Sequence, residues 1–268
     1  MSSKKTTRKT AKKTAGKKTT KSKPKKTTKP KAETVVKEDS VLYIDYTART
    51  KDDGKVFDTT MEEDAKKYGV YNREDRYEPM LVAMGWNWLL GALEEELVGM
   101  KVGESKTVDI PPEKGSGQRD PAKIKTIPKV KLAKHGTRAV KGQEIKFGDE
   151  RGVITAVLGR SVRVDFNSPL AGRTLTFDVT VREIISDPLD KLRAIVKRRV
   201  PGLPLDDFKV SVARKVVTIE MPKETRYVQN IQYAEIGIAA DALKVIPTAK
   251  EVKLVVTFER PEQTANST

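Results

Sequence analysis

The sequence predicts an α+β fold in which one short helix packs on an antiparallel β-sheet. Residues 84–105 carry apolar side chains at helical spacing, and the glutamates at 94–96 occupy the opposite side. The apolar set is Leu89, Leu90, Leu93, Leu97 and Met100. Residues 41–47 and 105–110 alternate apolar and polar side chains, as half-buried strands do. Because a helix of about ten residues cannot bury its own apolar face, the sheet is its expected partner.

Composition excludes several kinds of site. The 268 residues include no cysteine, so they form neither disulfides nor thiolate metal sites. They contain no apolar stretch of about 18 residues, and the N-terminus lacks the apolar core of a signal peptide. We therefore expect a cytoplasmic protein with no membrane segment.

Positive charge is concentrated at the start of the chain. Residues 1–32 hold 14 of the 53 Lys and Arg residues and no acid, so the remainder contains 39 basic against 37 acidic residues. Residues 1–38 have almost nothing to bury and are expected to be disordered. Their spaced cations predict binding of residues 1–32 to nucleic acid, a ribosome or another polyanion through phosphate contacts. A solubilising tail with no partner is the alternative.

Residues 41–60 are predicted to form two strands around a turn at 51–54, in which Gly54 supplies a positive φ. The segment resembles the first signature of FKBP-type peptidyl-prolyl isomerases, Y-T-G-x-x-x-x-G-x-x-F-D-[TS]. The matching residues are Tyr46, Thr47, Gly54, Phe57, Asp58 and Thr59. Ala48 stands where the family usually has glycine.

Residues 85–104 resemble the second signature of that family, G-x-x-x-L-I-x-G-[FWL]-E-x-[AG]-L-x-G-M-x-x-G-E, with Ala92 in place of a glycine. The connection between the signatures is lengthened, as in long archaeal-type members. It is expected to form a short helix over 61–70 and a polar, aromatic loop over 71–79. This insertion either shapes one wall of a pocket or is a plain surface excursion.

A second insertion, residues 120–168, precedes the last strand of the family fold, predicted over 175–184. Its alternating segments predict a small β domain with strands over 144–147, 152–157 and 161–166. The insertion closes with Asn-Ser-Pro-Leu-Ala-Gly at 167–172, which resembles the end of the insert-in-flap domain of SlyD-like FKBPs. The resemblance implies a holdase chaperone that binds unfolded chains, and a stabilising appendage is the alternative.

The last part of the chain predicts an α-β-β-α-β unit. Asp187 is expected to cap a helix that presents one apolar face, with Leu189, Leu192, Ile195, Val196 and Val200. A hairpin over 208–221, a second helix with Tyr227 and Ile231 in its apolar stripe, and a strand over 251–259 ending near Phe258 are expected to follow. Because about 70 residues make a marginal domain, this unit is expected to dock on the rest or to form a homodimer.

We therefore expect an FKBP-like antiparallel half-barrel wrapped on one helix, divided into four parts. These are a disordered basic tail (1–38), an FKBP domain or body (39–119 and 169–186), an insert (120–168) and a C-terminal unit (187–261).

The resemblance implies a prolyl isomerase site that needs no cofactor and no metal. The implied catalytic residues are Tyr46, Phe57, Asp58, Leu89, Leu90, Leu93 and Phe177. Leu93 would lie against the proline ring, the Leu90 N–H would hold a substrate carbonyl, and Asp58 would face the reacting amide. The implied substrate-binding residues are Met80, Val82, Trp86, Trp88 and Ser116. Taken separately, each of Tyr46, Phe57, Leu90, Leu93 and Phe177 is better explained as core; taken together with Asp58, they are better explained as a pocket.

Three of these positions carry particular expectations. Ser116 stands where the family has a tyrosine that donates to the bound carbonyl, and its hydroxyl reaches several ångströms less far. Trp86 and Trp88 could grip apolar substrate segments or pack under the 61–83 insertion. The single histidine, His135, is expected to be an incidental surface residue.

The expected function is therefore catalysis of Xaa-Pro rotation in unfolded, nascent or folding polypeptides, with holdase activity in the insert. The alternative is a catalytically weak chaperone that keeps the FKBP shell and is tethered to nucleic acid or ribosome by its tail.

Overall fold

A computed structural model of the chain describes residues 34–134 and 138–258, without the side chain of Lys134. The predictions for residues 1–32, His135 and the end of the last strand lie outside the described residues. The predicted tail is shorter than 38 residues, because Val36 is buried in the body core. Its N–H donates to the Met100 carbonyl at 2.9 Å, and its carbonyl accepts from the Gly99 N–H at 2.9 Å.

The described residues form five α-helices and twelve strands. The helices are α1 (Glu62–Tyr68), α2 (Gly91–Leu97), α3 (Lys129–Lys134), α4 (Pro188–Arg199) and α5 (Ile231–Val245). The strands are β1 (Val41–Thr50), β2 (Val56–Thr59), β3 (Met80–Ala83), β4 (Ser105–Ile110), β5 (Ile124–Pro128), β6 (Glu144–Phe147), β7 (Glu150–Val157), β8 (Ser161–Asp165), β9 (Leu175–Ile185), β10 (Lys209–Ala213), β11 (Val216–Met221) and β12 (Glu251–Val256). Among the described elements no helix combines the length and apolarity that crossing a membrane requires.

The body is a five-stranded antiparallel sheet, which confirms the predicted α+β class. Strand β1 pairs with β9 along one edge and with β2 and β3 along the other, and β4 pairs with the far side of β9. Gly54 has φ +68 in the turn between β1 and β2, as predicted. The register places Ala48 opposite both Phe177 and Asp58, so side chains from three strands meet near one point.

Helix α2 packs on this sheet with Leu93 and Leu97 fully buried. It is shorter than predicted, because it begins only at Gly91. Glu94 differs from the prediction, which placed it on the polar side. Its side chain is buried, and its Oε2 accepts from the Gly85 N–H at 2.8 Å, which ties the preceding loop to the helix.

The insert is a four-stranded antiparallel sheet in the order β5-β8-β7-β6. Its core is a separate cluster formed by residues of the insert alone: Ile127, Leu132, Ile145, Ile154, Val162 and Val164. The strand over 144–147 was predicted at its observed bounds. Strand β5 and helix α3 were not predicted.

The C-terminal unit has the predicted order α4-β10-β11-α5-β12. Asp187 caps α4 by accepting from the N–H groups of residues 189 and 190 at 2.8 and 3.2 Å. Strand β11 lies between antiparallel β10 and parallel β12. Three predicted core residues are exposed instead: Leu189 at the start of α4, Tyr227 in a short 3-10 turn before α5, and Phe258 after β12.

This unit docks on the body through a shared apolar cluster. Ala194 and Ile195 of α4 pack with Val41, Leu81 and Ile185 of the body sheet. The prediction that this unit docks on the rest of the chain is therefore confirmed.

Candidate active site

Three aromatic rings and one carboxylate meet where strands β2, β1 and β9 lie side by side in the body sheet. The Phe177 ring lies 6.1 Å from that of Tyr46 and 6.4 Å from that of Phe57, the latter pair edge to face. Such tilted and edge-to-face pairs are favoured ring geometries. Phe177 is buried, whereas Tyr46 and Phe57 are half-buried, so the cluster presents an apolar surface that remains accessible.

Asp58 is the polar group of this cluster. Its side chain is exposed, and its Oδ2 accepts from the Tyr46 hydroxyl at 2.7 Å. Burial, together with the hydrogen bond and charge of Asp58, raises the pKa of Tyr46 well above its ordinary value of 10.0. Tyr46 therefore remains a protonated donor at physiological pH and holds the carboxylate in one orientation.

Residues at the start of α2 pack on the same core as the aromatic cluster. Leu89 and Leu90 are half-buried beside the core, while Leu93 and Val82 are fully buried beneath it. The Leu90 N–H finds no acceptor among the residues that the structure describes. An unpaired N–H at a helix start can donate a hydrogen bond to a carbonyl ligand.

Tyr46, Phe57 and Asp58 line a cleft of about 830 Å³. Its walls are formed by Tyr46, Phe57, Asp58 and Met80 of the body, by residues 74–78, and by Arg198 and Asn230 of the C-terminal unit. The long 61–83 insertion therefore lines the cleft with its second half. In the described part of the chain, no three His, Asp or Glu side chains cluster as metal ligands would.

Comparisons with known proteins identify the family of the chain. A family model described as FKBP-type peptidyl-prolyl cis-trans isomerase matches residues 32–182, more than half of the chain. The chain therefore belongs to this family of isomerases. A second model, FKBP26_C-terminal, matches residues 188–259.

Individual relatives carry the same activity in their names. The chain is 39% identical over 150 residues to a short-type peptidyl-prolyl cis-trans isomerase of Methanocaldococcus jannaschii, covering 56% of this chain and 94% of the relative. It is 36% identical over 111 residues to an FKBP-type 16 kDa isomerase of Escherichia coli, covering 40% and 74%. It is 30% identical over 163 residues to the isomerase SlyD of Aeromonas hydrophila, covering 57% and 66%.

Only Met80 of the five predicted substrate contacts lines this cleft. Val82, Trp86, Trp88 and Ser116 lie outside its lining, as do four predicted catalytic residues, Phe177, Leu89, Leu90 and Leu93. Trp86 and Trp88 pack edge to face at 5.3 Å and join the apolar cluster under the C-terminal unit, an arrangement that neither sequence-based alternative included. Ser116 is half-buried in the loop before the insert. The neighbouring Gly117 ties this loop to Gly172, whose N–H donates to the Gly117 carbonyl at 2.8 Å.

Sequence reasoning missed the wall that the C-terminal unit adds to the cleft. The cationic run 197–199 at the end of α4 was the available signal. It was overlooked because nothing in the sequence places the end of α4 beside residues 74–81.

Proposed function

We propose that this isomerase accelerates Xaa-Pro rotation in unfolded or folding polypeptides at the cluster of Tyr46, Phe57, Asp58 and Phe177. The observation that carries the proposal is the accessible aromatic cluster with one oriented carboxylate. Leu90, whose N–H is unpaired among the described residues, packs on the same core. Leu93 and Val82 would support the floor from below, and Met80 and Leu89 would extend the apolar wall.

The chemistry requires only non-covalent stabilisation. Rotation about the peptide bond crosses a barrier of about 18–20 kcal/mol because the amide loses its resonance. A twisted amide is less polar than a planar one, so an apolar pocket favours the twisted form. The Leu90 N–H would hold a neighbouring carbonyl, and the Asp58 carboxylate would face the rotating amide.

NMR exchange spectroscopy on a Leu-Pro tetrapeptide tests this site. Asp58→Ala should lower the isomerisation kcat/KM at least about tenfold, which corresponds to ~1.4 kcal/mol of transition-state stabilisation. Asp149→Ala removes an exposed carboxylate in the insert and serves as the matched control, with no expected effect. Equal rates for both variants and the wild type would remove Asp58 from the site.

The same experiment decides between catalysis and the chaperone alternative. Ser116 replaces the tyrosine that other FKBPs place in this loop, which favours reduced turnover. If the wild type fails to accelerate exchange yet suppresses aggregation of an unfolded client, the catalytically weak chaperone is the better description.

We propose further that the insert is a holdase. Its surface exposes large apolar side chains, including Val130 at 68%, Val140 at 49% and Leu158 at 42%. Exposed apolar patches typically mark protein interaction sites. A Val130→Ser, Leu158→Ser double variant should lose aggregation suppression while keeping tetrapeptide isomerisation. Tyr227→Ser is the control, since Tyr227 is an exposed apolar residue of the C-terminal unit.

For residues 1–32 we propose binding to a polyanion such as nucleic acid or a ribosome. Deleting residues 1–33 keeps the buried Val36 and should reduce RNA or DNA binding to background without changing isomerisation. Unchanged binding would place the site in the remainder of the chain.

Self-association of the C-terminal unit is also proposed. Tyr233, Ile236 and Leu243 form an exposed apolar stripe on α5. Ile236→Glu should convert a homodimer into a monomer in light scattering, whereas Val130→Glu in the insert should not. A monomeric wild type at micromolar concentration would contradict the proposal.

A further inference from the structure

We propose that the C-terminal unit adds a second substrate subsite to the isomerase cleft, in which Arg198 binds an acidic side chain of the polypeptide about three residues from the proline. The proposal rests on the proposed function, because it assigns a further contact to the same substrate. It makes the C-terminal unit part of substrate recognition.

The cleft is continuous from the aromatic cluster to α4. One cavity of about 830 Å³ is lined by Tyr46 and Asp58 at one end and by Lys197, Arg198 and Asn230 at the other. This volume lies in the upper part of the range of about 300–1,000 Å³ that is typical of ligand pockets. A proline and several flanking residues therefore have room to bind together.

Arg198 is the cation of this wall that lacks a carboxylate partner. Lys197 Nζ pairs with Glu78 at 2.7 Å, and Arg199 donates twice to Asp241 Oδ2, at 2.9 and 2.6 Å. Arg198 instead donates from Nη1 to the Leu81 carbonyl at 3.3 Å, and its guanidinium lies 4.3 Å from the centre of the Trp88 ring. Among the described residues none offers it a carboxylate within ion-pair distance.

The surroundings of Arg198 favour an anionic ligand. Burial, and after it the charge of Arg199, lowers the pKa of the Arg198 guanidinium, and the charge of Asp241, which lies beyond ion-pair distance, offsets this only in part. A partly desolvated guanidinium fixed on an aromatic ring is a preorganised donor, and a carboxylate matches its two-pronged geometry. A substrate Glu or Asp would compensate the charge that the protein leaves unpaired.

The register of the body sheet sets the distance between the two subsites. Leu81, whose carbonyl binds Arg198, lies opposite Tyr43. Tyr46 is three residues further along β1, or ~10 Å at the rise of an extended strand. An extended substrate covers that distance with about three residues. Asn230 adds an exposed amide at this wall whose side chain makes no hydrogen bond within the part of the chain described.

The cleft should bind an acidic side chain of the substrate at one position only. Glu74, Asp75 and Glu78 line the wall formed by the 61–83 insertion. They would repel a substrate carboxylate that lay on their side of the cleft. The cleft is therefore expected to select the position of an acid, and a uniformly acidic segment should gain little.

The test measures isomerisation of neutral peptides centred on Leu-Pro that carry Glu, Gln or Lys three residues before or three residues after the proline. At low salt, wild-type kcat/KM should favour Glu over Gln about fivefold in one of the two series, the factor that corresponds to ~1 kcal/mol. Arg198→Met keeps an apolar chain over Trp88 and should abolish the preference. Arg193→Met is the matched control, because Arg193 lies on the same helix, pairs with Asp190 and lines a different cleft.

The ratio of Glu to Gln rates is measured within one variant, so partial unfolding of a variant does not change it. Equal Glu and Gln rates in both wild-type series, or a preference that persists in Arg198→Met, would overturn the subsite while leaving the isomerase intact. A wild type that accelerates none of the peptides would overturn the proposed function and the subsite with it.

Discussion

The insert and the C-terminal unit are attached to the body in opposite ways. The insert has its own closed core, and polar contacts hold the two chain segments that connect it to the body. At this neck, Asn167 exchanges hydrogen bonds with the backbone of Asp120, both at 2.9 Å, and Arg119 pairs with Asp165. Contacts of this kind fix a connection without burying apolar surface.

The C-terminal unit instead shares apolar residues with the body. Ile195 is fully buried in the common cluster, and Trp86 and Trp88 lie against the same unit. Arg198 and Lys244 cover the two indole rings at 4.3 and 4.7 Å from their centres. The C-terminal unit is therefore a fixed wall of the cleft, whereas the insert is a separately packed module, for which we propose the holdase role.

The largest effect on stability is expected from a substitution that disrupts the shared apolar cluster. Ile195→Ala should destabilise the body and the C-terminal unit together by about 2–5 kcal/mol, because it leaves a cavity in a common core. The only two tryptophans, Trp86 and Trp88, lie at this interface, so urea unfolding followed by tryptophan fluorescence measures it directly.

The matched control is Ile154→Ala, which removes an equally buried residue from the insert core. It should leave the tryptophan transition in place while the insert unfolds at lower urea, as seen in the NMR signals of its amides. A shift of the tryptophan transition by this variant would contradict the independence of the insert.

Gly152→Ala is expected to destabilise the insert alone, by about 1–3 kcal/mol. A Cβ at position 152 would lie 2.7 Å from the Asp165 carbonyl oxygen and 2.8 Å from the Phe166 ring, so β7 and β8 must separate. Gly159→Ala, where a Cβ meets no atom within 4 Å, is the control. Hydrogen exchange of the insert amides should rise for Gly152→Ala only.

A smaller effect is expected at the neck. Asn167→Ala removes the hydrogen bonds to Asp120 and should cost about 1–2 kcal/mol of local stability. Lowering the pH should also destabilise the neck. Burial alone would raise the pKa of Asp165, but hydrogen bonds from Asn167 and Arg119 outweigh it and lower the pKa below 3.8.

The stability that Asp165 contributes is therefore complete above pH ~4 and is lost as the pH falls toward its lowered pKa. NMR of the insert amides during an acid titration measures this loss. If neither Asn167→Ala nor acid changes the amide signals of the insert, the polar contacts at the neck do not stabilise it.

The smallest effects are expected from the exposed ion pairs. Lys197→Met breaks the pair with Glu78 that links the C-terminal unit to the 61–83 insertion, and Lys125→Met breaks a pair with Glu150 inside the insert. Each should cost no more than ~1 kcal/mol in urea unfolding, because solvent screens both pairs. A larger loss of stability for Lys197→Met would show that the ion pair, as well as apolar packing, holds the C-terminal unit in place beside the cleft.

The elements of the body were predictable because local signals agree there. Strand β4 was predicted at its observed bounds from alternation and two following prolines, and the first turn from Gly54. The first signature also predicted that Tyr46, Phe57 and Asp58 belong to one site. The sheet register places their side chains near one another. The assignment of these residues to catalysis remains a prediction.

The misplaced residues and elements depend on tertiary contacts or lie where local patterns are weak. Trp86 and Trp88 gain their environment from α4, about 110 residues later, and Glu94 is buried by a bond to the backbone at Gly85. Strand β5 and helix α3 lie in a lysine-rich segment broken by Pro128, where neither alternation nor helical spacing is clear. Burial of Val36 likewise depends on Met100.

The most direct test of the account is an NMR titration of isotope-labelled protein with a Leu-Pro tetrapeptide and, separately, with an unfolded chain that lacks proline. The tetrapeptide should shift the amides of Leu90, Phe57 and Phe177 and leave those of the insert unchanged. The proline-free chain should shift amides near Val130 and Leu158. Tetrapeptide shifts confined to the insert would contradict a prolyl site in the body.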